Sequence, residues 1–313
     1  MVNATKLELH YYFNDQSHSM DAHVRNKCES ELLAIIHEIA LEFGVKLRIE
    51  SEAYKEGGLK DIWKLTGANG NQISIIISLL TLVLPMVPSS DHELDNLIKE
   101  ETKLRIQEKK LQIEKLKKEL SSPSVTYETI SSAADAADKN LKVVTRRSNF
   151  YRTISHCHKI KSVGFTGLDK DDKVTDKEKV VTKNNFHKFI LQSDVMPSLT
   201  YERARIEIIS PVLRMGDYKW RGVFEGEPIN FVMLDNDFKQ DVLLQRISFQ
   251  NGSVIECVLK VLRKLNEVGE VVPQSYIVET VIEKIDGETR LKTIQGKRYL
   301  LKKMAQYGQG NLF

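Results

Sequence analysis

Strong charge of one sign is missing from this chain. Its 46 lysines and arginines face 43 aspartates and glutamates in 313 residues, for a net charge of +3. No global field therefore draws it to nucleic acid or to an anionic membrane, and any such contact must come from local clusters. Cysteine is scarce too: Cys28, Cys157 and Cys257 are odd in number, widely spaced and never arranged as Cys-x-x-Cys. That argues against a disulfide framework and a structural zinc site. It favours a reducing, cytoplasmic compartment with buried thiols. Gly-rich phosphate loops, internal repeats and low-complexity tracts are absent. The first twelve residues alternate like a strand, with no basic-then-apolar leader, and are not read as a secretory signal. Long apolar runs are missing as well. The most apolar segment, 73–87 (ISIIISLLTLVLPMV), has 15 residues, against the roughly 20 that a helix needs to cross a bilayer. Pro85 and Pro88 shorten it further. A buried core element is the reading favoured over membrane insertion.

What is present describes an α+β protein, since 41% hydrophobic and 28% charged residues are normal for a folded chain of this length. The run 6–13 (KLELHYYF) has strand character. Met20, Val24, Cys28, Leu32, Ile35, Ile36, Ile39 and Phe43 then recur every three or four residues, as one apolar helical stripe that Gly44 is placed to stop. Alternation resumes at 45–50 (VKLRIE). A β-α-β unit follows from this pattern, its helix long enough for a right-handed crossover between parallel strands. Residues 91–120 predict a long charged helix with eight acidic and eight basic residues. Its two heptad rows (Leu97, Leu104, Leu111 and Ile106, Ile113, Leu120) do not make one a/d seam, so it is either a solvated spacer or an oligomerising surface. Four parts result: an α/β domain over 1–88, the helix over 89–122, a mixed linker region over 123–200 and a β-rich domain over 201–313. In the last, strand-like runs at 205–213, 218–224, 229–234, 246–249, 253–265 and 276–285 are separated by turn signals at Glu225-Gly226, Asn251-Gly252 and Asp286-Gly287. A small barrel or curled sheet is expected, with Trp220 and Phe231 in its core.

Several clusters could carry chemistry. His18, Asp21 and His23, with Ser17, Ser19, Arg25 and Asn26, lie where the first strand hands over to the first helix, the edge at which ligands collect in β-α-β folds. They are the only candidate catalytic group, and helix capping explains them more simply. His156 and His158 flank Cys157 and would share one strand face, but no second cluster completes a metal site. The Asp169, Asp171 and Asp176 segment lacks the glycine of a calcium loop. No cofactor or metal is expected, and the protein is read as non-enzymatic.

Basic residues cluster twice. The first group spans 139–161 and includes Arg146 and Arg147, interleaved with Phe150 and Tyr151. The second spans 289–313, holds Arg290, Lys292, Lys297, Arg298, Lys302 and Lys303, and contains no acidic residue. Both could meet phosphates. At the end of the second, Gln309 is followed, after two intervening residues, by Leu312-Phe313. This resembles the C-terminal peptide with which bacterial polymerases and repair proteins dock on the sliding clamp. The resemblance implies that Gln309 hydrogen-bonds a pocket rim while Leu312 and Phe313 fill its apolar floor. Gly310 departs from the larger apolar residue usual there.

The expected function is a DNA-associated adaptor of a bacterial-type cytosol, in replication, repair or antiviral defence, with DNA, a sliding clamp or another protein as partner. The alternatives are a membrane-acting effector that exposes 73–87 when triggered, and an enzyme built around His18, Asp21 and His23.

Overall fold

The computed structural model describes residues 4–15, 19–52, 59–87, 103–120 and 125–309, with 103–109 and 306–309 as backbone. The chain divides into two compact units, Met1–Asp194 with Asn266–Glu270, and Val195–Leu265 with Val271–Phe313. Both mix helices and strands, and the fold class is α+β.

The first unit opens with β1 (Lys6–Phe13), α1 (Ala22–Glu42), β2 (Leu47–Ser51), β3 (Leu59–Gly67) and α2 (Gly70–Val83). Helices α3 (Lys103–Leu120), α4 (Tyr127–Asp138) and α5 (Leu141–Ser155) follow, and then β4 (Ile160–Leu168) and β5 (Lys179–Thr182). The sheet order is β2-β3-β1-β4-β5, with every neighbouring pair antiparallel. Strands β1 and β2 therefore run parallel, as the β-α-β pattern predicts, but β3 lies between them, which makes a split β-α-β plait. Residues 160–182, inside the stretch read as a mixed linker, supply its last two strands.

Alternation sends Leu7, Leu9 and Tyr11 of β1 inward, where they share one core with Cys28, Leu32, Ile35, Ile36 and Ile39 of α1. Gly44 ends the helix at φ +71°, a backbone region open to glycine at little cost. Helix α2 is apolar on nearly all sides because it is enclosed on nearly all sides: Ile73, Ile75, Ile76, Ile77, Leu79, Leu80 and Val83 are buried. Among the described residues no helix is long and apolar enough to cross a membrane. The last carbonyls of α2, having no helical partner of their own, are taken up by α5: Arg147 Nη1 donates to Val83 O and Tyr151 Oη to Leu84 O, each at 2.9 Å. Small Ala133, Ala134 and Ala137 let α4 pack against α2. Helix α3 is anchored in the core by Leu116 and Leu120, while Leu111 is exposed. Positions 91–102 lie outside the described residues.

The second unit comprises β6 (Val195–Ser210), β7 (Trp220–Phe224), β8 (Glu227–Met233), α6 (Asn236–Leu243), β9 (Val254–Leu265), β10 (Val271–Asp286), β11 (Thr289–Lys292) and α7 (Ile294–Gln309). Pairing runs β6-β7-β8-β10-β9 and returns to β6, so five strands close into a barrel, in which β8 and β10 pair in parallel. A helix between the third and fourth barrel strands completes the OB-type architecture. Trp220 and Phe231 are fully buried, and Phe238 of α6 joins them with ring centroids 6.1 Å from Trp220. The β7–β8 hairpin turns on Glu225 and Gly226, both at positive φ (52° and 86°), the geometry that matches strand twist. One expectation fails here. Residues 246–249 are not a strand: the chain forms α6 first, and Ile247 and Phe249 then fill the barrel core. The basic segment from 289 onward forms β11 and α7.

Candidate nucleic-acid interface

On the barrel's outer surface, four strands place charged residues in one row. Arg205 of β6 stands opposite Glu256 of β9, Glu256 opposite Glu283 of β10, and Glu283 opposite Lys292 of β11. Two carboxylates side by side on adjacent strands repel each other, and both are buried, 4% exposed each. Cations hold them in place. Arg203 reaches Glu256 at 2.5 Å and Arg205 reaches it at 3.6 Å, while Arg290 pairs with Glu283 at 2.7 Å. Helix α7 packs against β10 beside this row. It starts where Thr293 Oγ1 accepts the Gly296 N–H at 2.9 Å, and Gly296 is required there because a Cβ would run into the Ile282 backbone.

Between the row and the helix lies a cavity of about 220 Å³, lined by Arg203, Ile282, Glu283, Arg290, Lys292, Lys297 and Leu300. Four cations thus face one carboxylate. Among the described residues, Lys292 and Lys297 have no carboxylate within ion-pair distance. The arrangement suits an anion: two guanidinium forks are fixed by buried carboxylates, and two ammonium groups are left uncompensated. Further along α7, Arg298 and Lys302 are exposed, as are Ile294, Leu301 and Met304. Lys303 is ion-paired with Glu202.

The structure thus gathers Arg290, Lys292 and Lys297 around one cavity, adds Arg203 to its lining and sets Arg205 in the row beside it, and charge clustering along the sequence picks out neither of these two arginines. Their signal is the strand alternation in 201–208, where Ala204, Ile206 and Ile208 point inward and the arginines outward. Arg146 and Arg147 require a correction. Arg147 is fully buried and ion-paired with Asp138, and Arg146 is bound to Glu31 at 3.0 Å. Residues 139–161 do not present an alternating basic edge, because 141–155 is a helix. Its inward stripe is Val143, Arg147, Phe150, Tyr151 and Ile154.

At the first strand–helix junction, Asp21 caps α1 by accepting the N–H groups of His23 at 2.8 Å and Val24 at 3.0 Å. Those bonds hold its carboxyl below the usual range. His23 is exposed and His18 lies outside the described residues. Arg25 instead reaches into the sheet to pair with buried Asp61, whose carboxyl is raised by burial although the arginine opposes the shift. Among the described residues, the hydroxyl of Tyr11 and the second oxygen of Asp61 are buried without hydrogen-bond partners. His156 and His158 flank the end of α5 and its turn, not a strand. Gln309 ends α7, and Leu312 and Phe313 lie outside the described residues.

Comparison with known proteins finds no matching family, no matching curated protein and no matching solved structure. The split plait and the OB-type barrel are architectures that host many unrelated functions, so the site has to carry the functional argument.

Proposed function

We propose that this chain is a non-enzymatic, DNA-associated adaptor of a bacterial-type cytosol, and that its second unit carries the nucleic-acid contact. The observation behind this reading is the convergence of Arg203, Arg290, Lys292 and Lys297 on one cavity of a nearly neutral protein. OB-type barrels frequently bind oligonucleotides, which adds support by analogy of fold. Because Trp220 and Phe231 are inside the barrel, they offer no stacking platform. Contact is then directed at phosphates, with little preference for base sequence. The tail, with Gln309, Leu312 and Phe313, would add docking to a sliding clamp, and the free cysteines fit a reducing cytoplasm.

The test is oligonucleotide binding by the full chain as a function of salt. Wild type should lose affinity steeply, with a log–log slope of roughly −2 to −4 if three or four phosphates are neutralised. Replacing Lys292, Lys297 and Arg298 by alanine should flatten that slope by about one for each phosphate no longer neutralised. Absence of binding at low salt, or a slope unchanged in the triple variant, overturns the reading. In a parallel measurement, a chain lacking 309–313 should lose binding to a purified sliding clamp while keeping its DNA affinity.

A further inference from the structure

Resting on the nucleic-acid reading above, we infer that the cavity between β10, β11 and α7 is a receptor for the terminal phosphate monoester of a nucleic-acid strand, not a groove for its internal phosphodiesters. Shape is the first argument. A string of internal phosphates calls for an open stripe of cations, whereas here the cations converge on a recess of about 220 Å³. Such a recess displaces roughly seven waters. That is room for a phosphate and its sugar.

Charge is the second argument. A phosphodiester carries one negative charge. A terminal monoester carries close to two near neutrality and offers three strong acceptor oxygens. The site has two lysines, Lys292 and Lys297, with no carboxylate partner among the described residues, which together match a dianion. The arginines add directed donors. Arg290 is tied to Glu283 at 2.7 Å and Arg203 to Glu256 at 2.5 Å, so their forks are oriented before the ligand arrives and less ordering entropy is lost on binding. Glu283 sits on the cavity wall. Held by Arg290, it repels an anion seated too deep and confines the phosphate to the lysine side. Ile282 and Leu300 supply an apolar wall for a sugar ring. Among the described residues no aromatic side chain lines the cavity, so the terminal base goes unread and recognition is independent of sequence.

Fluorescence anisotropy with the full chain tests this, using one single-stranded sequence in three forms: 5′-phosphate, 3′-phosphate, and hydroxyl at both ends. One phosphorylated end should bind at least about tenfold tighter than the hydroxyl form. Lys292→Ala/Lys297→Ala should abolish that preference, so that the variant binds the phosphorylated and hydroxyl forms equally and no tighter than wild type binds the hydroxyl form. Both lysines are exposed, so the variant keeps its fold, which Trp220 emission verifies. Equal affinity for all three forms overturns the end-recognition inference and leaves DNA association standing. Failure of all three to bind overturns both. A preference that survives the double lysine variant places the end-binding site elsewhere and overturns the assignment to this cavity.

Discussion

Replacing Arg147 with methionine should destabilise the first unit and leave the proposed nucleic-acid contact of the second unit unchanged. The guanidinium is fully buried, its partner Asp138 is 9% exposed, and Nη1 also donates to Val83 O at the end of α2. Removing the cation strands a carboxylate and a helix-terminal carbonyl in the core. Breaking a buried pair in this way costs about 3–5 kcal/mol. Among the described residues, two donors of Arg147, Nε and Nη2, have no hydrogen-bond partner. The native arrangement is therefore incompletely satisfied, and the cost should fall at the lower end, about 3 kcal/mol. For a unit of this size that is a fall in Tm of roughly 6–12 °C. Each unit contains one of the two tryptophans, Trp63 in the first and Trp220 in the second, so a Trp220→Phe background lets Trp63 fluorescence report the first unit alone. Adding Asp138→Leu removes the stranded carboxylate and should return stability to within about 1 kcal/mol of the parent, as apolar replacement of both partners often does. A destabilisation below about 1 kcal/mol, accompanied by weaker DNA binding, would refute the assignment of Arg147 to the core and restore it to the surface.

Two further outcomes follow from local geometry. A Cβ on Gly222 would lie 2.5 Å from Ile206 Cγ2 and 2.7 Å from the Glu207 carbonyl oxygen. Gly222→Ala should therefore cost the barrel about 1–3 kcal/mol, read from denaturant unfolding followed at Trp220, and an unchanged midpoint would contradict the β6–β7 packing. Asp21→Ala removes the cap of α1 and should lower the melting temperature at pH 7. Because backbone N–H groups hold the folded carboxyl below its unfolded value, the cap's contribution is present above about pH 4 and fades as pH falls through the lowered folded value. The wild-type and variant curves should converge in acid, and a gap that persists to pH 2 would mean the cap does not act through its charge.

Much of the fold was legible because periodicity survives folding. The stripe of α1, its stop at Gly44, the alternation of β1 and the turn at Glu225-Gly226 all appear where local pattern and backbone chemistry put them. The burial of 73–83 also follows from composition, since a helix apolar on every side must be covered on every side. The site was only partly legible. Charge density in 289–303 picked out Arg290, Lys292 and Lys297. The same criterion misplaced Arg147, although helical spacing sets it between Val143 and Phe150 on an inward stripe. A buried arginine carries the same letter as an exposed one, and only the position of its carboxylate tells them apart.

Residues close together in the chain suffice to specify the α+β class, the first helix, the apolar core segment and the basic character of the tail. Other features exist only once the chain has folded: the insertion of β3 between β1 and β2, the addition of β4 and β5 to that sheet, and closure of the barrel. The row in which Arg205, Glu256, Glu283 and Lys292 meet belongs with them. Those arrangements depend on which strands pair and in what register, and register is set by burial of whole faces against partners far away in sequence. That is also why Arg203 joins Arg290, Lys292 and Lys297, all far downstream, at one cavity that no local pattern reveals.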